Sequence, residues 1–424
     1  GIHTVISTKA QTVTRKFADR YILLGPDLSH EGVNPEFEED PALLKAWRQK
    51  LYNEGVRVRV GRWKIKGEPT AVLVDFSSLI PRKDEILKSL WESYHVDSIS
   101  GQWDYIEPVL FGWAAGVVIA SYVETFCAPT DKAAAHFHEW MTAAGGLYLR
   151  NRAPYVATVF TTHATVMGRC IAGNRLPLYN DLTKFNADEL ARRFNVTAKH
   201  SIEKMAAAYH DAFLTVSDIT ANECKYLLGR EPDGVTPNGF ENDFVWTGEE
   251  YYAKRDEARK AMIAVAEACL GEKFAGDPLI VGTSGRYEFR NKGIDVFIES
   301  LKQLAESDKL RREVLAYITV PAGNRGPRAD LQAHLADASN PIDGSQYKYT
   351  THYLENPAWD PIVNALKDSV LTRPESKVKV IFVPTYLNKA DGIFNKDYYE
   401  LLVGMDLTVF PSYYEPWGYT PLES

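Results

Sequence analysis

Residues 413–423 read YYEPWGYTPLE, placing Glu415 and Glu423 eight positions apart behind a short apolar run (Leu407, Val409, Phe410, Pro411). The run reads as a strand, so Glu415 is expected where that strand gives way to a helix. Glu423 would follow about two helical turns on, roughly 12 Å along the axis. Carboxylates accept hydrogen bonds from sugar hydroxyls, and a helix start offers unpaired backbone N–H groups to phosphate. Two carboxylates around such a start suit a nucleotide sugar, held at its hexose by one and its ribose by the other.

Outward from this stretch, residues 285–293 (GRYEFRNKG) follow the apolar run Leu279–Val281 and precede a helical pattern from Ile294. Arg286, Arg290 and Lys292 therefore fall on a strand-to-helix loop at the C-terminal edge of a parallel sheet, where open α/β folds bind ligands. Arg clasps phosphate oxygens through two parallel N–H groups and Lys adds a point charge. A solvated charged loop has the same composition, and no GKS or GKT follows to make a Walker loop. Further strands are expected at Tyr21–Leu24, Ala71–Phe76, Val117–Ala120, Val156–Phe160, Phe213–Val216, Val314–Val320, Val378–Val383 and Leu407–Phe410. Helical stretches such as Ile202–Tyr209, Ala258–Leu270 and Ile294–Leu304 lie between them. Alternation of this kind predicts an α/β fold with parallel sheets.

Gly and Pro cluster at 233–238 (DGVTPN) and again at 271–278. We place an N-terminal domain at 1–245, a linker or hinge at 246–277, and a C-terminal domain at 278–424. Residues 323–328 (GNRGPR) and the polar run to Tyr349 read as an insertion or mobile connection. The chain opens Gly1-Ile2-His3 without Met and closes one residue after the terminal motif. That reads as a protein truncated at both ends, its second domain incomplete.

The chain has 424 residues, 45% hydrophobic and 25% charged, with a net charge of −8. That charge leaves no excess of Lys and Arg to neutralise phosphates, which argues against a non-specific nucleic-acid binder. Cys127, Cys170, Cys224 and Cys269 lie far apart with no Cys-x-x-Cys pair, as buried thiols of a reducing compartment would. No apolar stretch is read as approaching the ~20 residues that span a bilayer, so no membrane is expected and a cytoplasmic location is.

Three further groups carry candidate chemistry. His163, in 161–164 (TTHA), ends a predicted strand, and Arg169 follows six residues on in a helix that can face the same cleft. Such a His can donate or accept near neutral pH, or be structural. In 136–140 (HFHEW), His136 and His138 stand two apart, which suits a strand and not the i, i+4 pair of a zinc helix, so no metal is expected. Glu139 is a functional carboxylate or a buried helix start. Tyr398 and Tyr399 fall in a predicted helix before the last strand, as core rings or as a platform for a base.

In order, HFHEW, FTTHATVMGR, TPNG, GRYEFRNKG and PSYYEPWGYTPLE resemble the glycogen synthases of glycosyltransferase family 3, the animal and fungal type with bacterial members. VGRWKIKGEP near Gly61 and the opening GIHTVISTKA match too; Ala329–Ser369 matches least. The resemblance implies two Rossmann-like domains facing across a cleft (GT-B). It implies transfer of glucose from UDP-glucose to the non-reducing 4-hydroxyl of an α-1,4-glucan, with retention and no metal or cofactor. Arg286 and Lys292 would bind the donor diphosphate and stabilise charge on leaving UDP. Glu415 would contact the glucose, Glu423 the ribose, and Tyr398 would stack on uracil, with Gly418 and Tyr419 in the same binding set. His163 and Arg169 would approach sugar and phosphate, Glu139 the donor sugar or acceptor end, and Asn238 the same cleft. A priming protein and a homo-oligomer are implied as partners. The family's Lys-x-Gly-Gly loop is met only from Gly1-Ile2, leaving its lysine unseen. Alternatives are a related glucosyltransferase with another donor or acceptor, a phosphorylase carrying pyridoxal phosphate, and a non-catalytic nucleotide- or glucan-binding module.

Overall fold

Short runs of β-formers separated by helices fold into two units, Gly1–Phe240 and Glu241–Ser424, in a computed structural model that describes residues 1–28, 35–343 and 347–424. In the first unit, β1 (Ile22–Pro26), β2 (Phe37–Glu39), β3 (Arg57–Trp63) and β4 (Thr70–Asp75) form a sheet of order β1-β4-β3-β2. Only the β1–β4 pair is parallel. A second sheet lays β5 (Ala133–His138), β6 (Val156–Thr162), β7 (Ala212–Thr215) and β8 (Gly234–Val235) side by side, all parallel. Phe160 of β6 pairs with Phe213 of β7; both are fully buried and their rings stack 5.7 Å apart. Each such side chain contributes roughly 1.5–3 kcal/mol by leaving water.

In the second unit, β9 (Leu279–Ser284), β10 (Val314–Thr319), β13 (Val378–Val383) and β14 (Leu407–Thr408) form a parallel sheet of order β13-β10-β9-β14. β10 and β13 are buried at every position, as a strand covered on both faces requires. The antiparallel pair β11 (Asn324–Pro327) and β12 (His352–Leu354) stands apart from this sheet. Parallel order sends β9 and β14, which are neighbours, into adjacent loops on one edge.

Several expectations change. Val117–Ala120 is not a strand but part of the helix Trp103–Phe126. Its β-branched run mimics a strand, yet it lies within a 24-residue, largely apolar helix that buries residues all round. By length and composition this helix could also cross a membrane, which corrects the reading that no stretch was long enough. Within the first unit 56% of its apolar window is buried, and its residues belong to that unit's core.

The presumed linker 246–277 is largely the helix Gly248–Leu270, packed into the second unit. Met262, Val265, Ala266 and Cys269 join Ile280, Leu315 and Ile381 in one core, and the Tyr317 hydroxyl donates to the Met262 carbonyl at 2.7 Å. Arg259 reaches both Asp406 (2.8 Å) and Asp277 (2.7 Å). The division between units falls at Phe240/Glu241 rather than at 245. The glycine cluster after the helix is its stop, Gly271 adopting the left-handed conformation (φ 72°). Residues 323–328 are likewise an ordered element: they supply β11, and Arg328 is 2% exposed, paired with Asp330 at 2.6 Å. The polar stretch expected from there to Tyr349 includes residues 344–346, outside the described residues.

Candidate active site

On the second unit, two loops interlock at the C-terminal edge of the sheet. The loop after β9 carries Arg286, Arg290 and Lys292; the loop after β14 carries Ser412 to Gly418. The backbone N–H groups of Tyr413 and Tyr414 both donate to the Asn291 carbonyl, at 2.9 and 3.2 Å. Gly293 has φ 66°, and a Cβ there would sit 1.9 Å from the Pro411 carbonyl oxygen. Only glycine lets the two loops approach this closely.

The approach joins the ends of the motifs. Lys292 Nζ donates to Glu415 Oε2 at 2.5 Å, and Ser412 Oγ donates to the same oxygen at 3.2 Å. The pair is mostly withdrawn from water, with side chains 13% and 25% exposed. Arg286 is far more open, 66% exposed with Glu288 at 3.4 Å. Arg290 does not join them. Its guanidinium pairs with Asp295 at 2.8 Å and lies 3.2 Å from the Tyr413 ring centroid, so it braces the loops.

Spacing between the two glutamates also differs from expectation. The helix begins only at Tyr419, after Gly418 in the left-handed conformation (φ 84°), and ends at Glu423. Glu415 lies four residues before it in the loop, so the two carboxylates are not two turns apart on one helix. Glu423 accepts from the Tyr399 hydroxyl at 3.0 Å, and burial raises its pKa. Tyr399 also stacks on Phe244, centroids 4.0 Å apart. Tyr398 and Tyr399 open the helix Tyr398–Leu402 as expected. The Tyr398 hydroxyl shares a 2.6 Å hydrogen bond with Ser284 at the end of β9, and burial pushes its pKa to about 12.

On the first unit, a second cluster gathers where β5 and β6 end. His136 and His138 belong to β5, as their spacing predicted. His136 Nε2 meets Thr161 Oγ1 at 2.7 Å, and His138 Nδ1 meets His163 Nε2 at 3.0 Å. Glu139 turns out of the strand with φ 67°, and its Oε1 accepts from the His163 backbone N–H at 2.9 Å. Burial lowers the pKa of His136 and His163 to about 4 and that of His138 further, with Lys9 adding to the effect. All three rings are therefore neutral at neutral pH, and one of the paired nitrogens of His138 and His163 carries the hydrogen. Lys9, on the helix Ile2–Phe17, escaped the residue-by-residue reading. A single lysine in an amphipathic helix gives no signal, although its own pKa is lowered by burial. Arg169 is the fourth residue of the helix Val166–Gly173, half-buried and one turn in. Asn238 lies past β8, on the same edge but two strands from β6, also half-buried.

The glycogen synthase family model matches residues 1–330 and 344–424. The chain belongs to the glycogen synthase family. Among curated glycogen synthases, the Neurospora crassa protein is 31% identical, over all of this chain and 68% of the relative. The Caenorhabditis elegans protein is 30% identical, over all of this chain and 72% of the relative. The catalytic domain of starch synthase IV from Arabidopsis thaliana superposes with a TM-score of 0.51 at 14% identity, over all of this chain and 77% of that one. This glycogen synthase family member is a glycosyltransferase, and its fold is that of the GT-B enzymes.

Proposed function

We propose that the protein moves glucose from UDP-glucose to the non-reducing 4-hydroxyl of an α-1,4-glucan, with retention of anomeric configuration and without a metal. The observation that carries this reading is the Lys292–Glu415 pair, held by two interlocked loops at the ligand-binding edge of a parallel sheet. Lys292 and the open Arg286 bind the donor diphosphate and offset charge as UDP leaves, a stabilisation needed mainly in the transition state. Lys292 has three N–H groups and engages Glu415 with one, so it can hold carboxylate and phosphate together. Glu415 takes the glucose hydroxyls, Glu423 with Gly418 and Tyr419 the ribose side, and Tyr398 the uracil. On the first unit, His163, Arg169, Glu139 and Asn238 contribute to sugar and acceptor.

Retention through a covalent glucosyl–Glu415 intermediate needs a free nucleophilic carboxylate. Glu415 Oε2 already accepts from both Lys292 and Ser412, which weakens it as a nucleophile. That favours front-face attack, the departing phosphate taking the acceptor proton. Glycogen as acceptor, a priming protein and self-association belong to the same reading. So does a cytoplasmic location, which the four free cysteines support.

The test is transfer of labelled glucose from UDP-glucose into glycogen, wild type beside Lys292→Ala. Transfer should fall by roughly 10²–10³-fold in the variant. Preferential use of ADP-glucose, or hydrolysis without transfer, would overturn the donor and acceptor assigned here. A trapped glucosyl–Glu415 adduct would overturn the front-face step.

A further inference from the structure

Two glutamates that the proposed mechanism does not use, Glu203 and Glu223, are both fully buried beneath the loop that carries His163. Glu203 comes from the helix Thr197–Tyr209 and Glu223 from the helix Asp218–Glu223. One carboxyl of Glu203 spans the loop: Oε1 is 2.7 Å from Thr162 Oγ1, and Oε2 accepts from the Val166 N–H at 2.9 Å. These partners flank His163 on either side. Glu223 Oε2 accepts from Thr165 Oγ1 at 2.7 Å, and its Oε1 accepts from the Tyr179 hydroxyl at 3.1 Å. Thr165 in turn caps the helix Val166–Gly173 by accepting from Gly168 N–H. Gly168 has no room for a side chain, since a Cβ would lie 2.2 Å from Glu223 Oε2. From above, the loop is held by Glu139 and His138.

We infer that Glu203 is a positioning residue for His163, clamping Thr162 and Val166 across the histidine, and that Glu223 secures the turn behind it. The inference rests on the reading that His163 serves the glucosyl-transfer site. Glu203 is faced by Glu139 at the end of β5, by Cys170 from the helix Val166–Gly173, and by Glu223 and Cys224 from below. Burial first, then Glu139, push its pKa to about 8, with Glu223 adding to the rise; burial also keeps both thiols protonated. At neutral pH Glu203 is therefore a neutral acid. Thr162 Oγ1 and the Val166 N–H both donate to this carboxyl, one on each side of the histidine, and Thr162 Oγ1 also lies 3.3 Å from the Ala164 carbonyl.

The test compares Glu203→Gln, which keeps a neutral acceptor–donor pair, with Glu203→Ala, each alone and combined with His163→Ala. At pH 7 the Gln variant should keep kcat within about threefold of wild type, while the Ala variant should lose roughly 10–100-fold, the cost of a misplaced group. Glu203→Ala should add little further loss in the His163→Ala background. UDP affinity should stay unchanged in the two Glu203 single variants. Equal damage from Gln and Ala, or additive losses in the double variant, would each overturn the inference. Imidazole NMR of His163 separates this from failure of the transfer reading: its resonances should move in Glu203→Ala and not in Glu203→Gln, whatever donor the enzyme uses.

Discussion

Replacing Gly293 by alanine tests the interlocked loops at their tightest point. Two costs add. A non-glycine residue at φ 66° gives up about 1–2 kcal/mol to the left-handed conformation. The new Cβ would stand 1.9 Å from the Pro411 carbonyl oxygen, so backbone must move, and overpacking of this kind costs about 1–3 kcal/mol. The expected loss is ~2–5 kcal/mol, a fall in Tm of roughly 4–20 °C for a unit of this size. Relief of the clash pushes the two loops apart, so Lys292 leaves Glu415 and transfer activity drops with stability. Calorimetry and glucose incorporation would be run beside Gly276→Ala, where a Cβ meets nothing within 4 Å. If Gly293→Ala melts and transfers like Gly276→Ala, the loops do not hold one another as described.

Other predictions follow from the same geometry. Arg259→Ala removes ion pairs to Asp406 and Asp277 and should destabilise the second unit by ~1–3 kcal/mol in urea unfolding; an unchanged midpoint would mean that the helix Gly248–Leu270 is a linker after all. Gly146→Ala puts a Cβ 1.8 Å from His210 Nε2, so it should destabilise the first unit despite alanine's better helix propensity, and a gain in Tm would contradict the packing. His136, His163 and His210 are held neutral with pKa values near 4. Protonation then favours the unfolded chain, so their contribution is present above pH ~6.5 and lost as pH falls toward 4. Hydrogen exchange should show the first unit opening before the second on acidification; the reverse order would refute this.

Much of the fold was legible because it is locally encoded. Val378–Val383 and the strand beginning at Val156 announced themselves as β-branched runs, and the order of strand and helix signals implied parallel sheets. Where reading failed, a local pattern had two solutions. Val117–Ala120 carries a strand's residues inside a helix that the core buries all round. The Gly/Pro cluster at 271–278 that suggested the end of a hinge begins with the stop of a packed helix, and burial of Met262 and Cys269 cannot be seen from glycine spacing. Helix length after Glu415 was overestimated because Gly418 delays its start.

The sequence by itself determined the α/β class, the motif order that marks the family, and the presence of Lys292, Glu415, His163 and Glu139 at strand ends. Each of those is a matter of residue type and short-range spacing. Only the tertiary structure decided which of them meet. Lys292 and Glu415 are 123 positions apart, and Thr165 and Glu223 are 58 apart. Their contacts exist because parallel pairing brings distant strand ends to one edge, and no local periodicity carries that information. Burial, and with it the neutral histidines and the protonated Glu203, is likewise a property of the packed chain, since desolvation depends on neighbours that folding alone supplies.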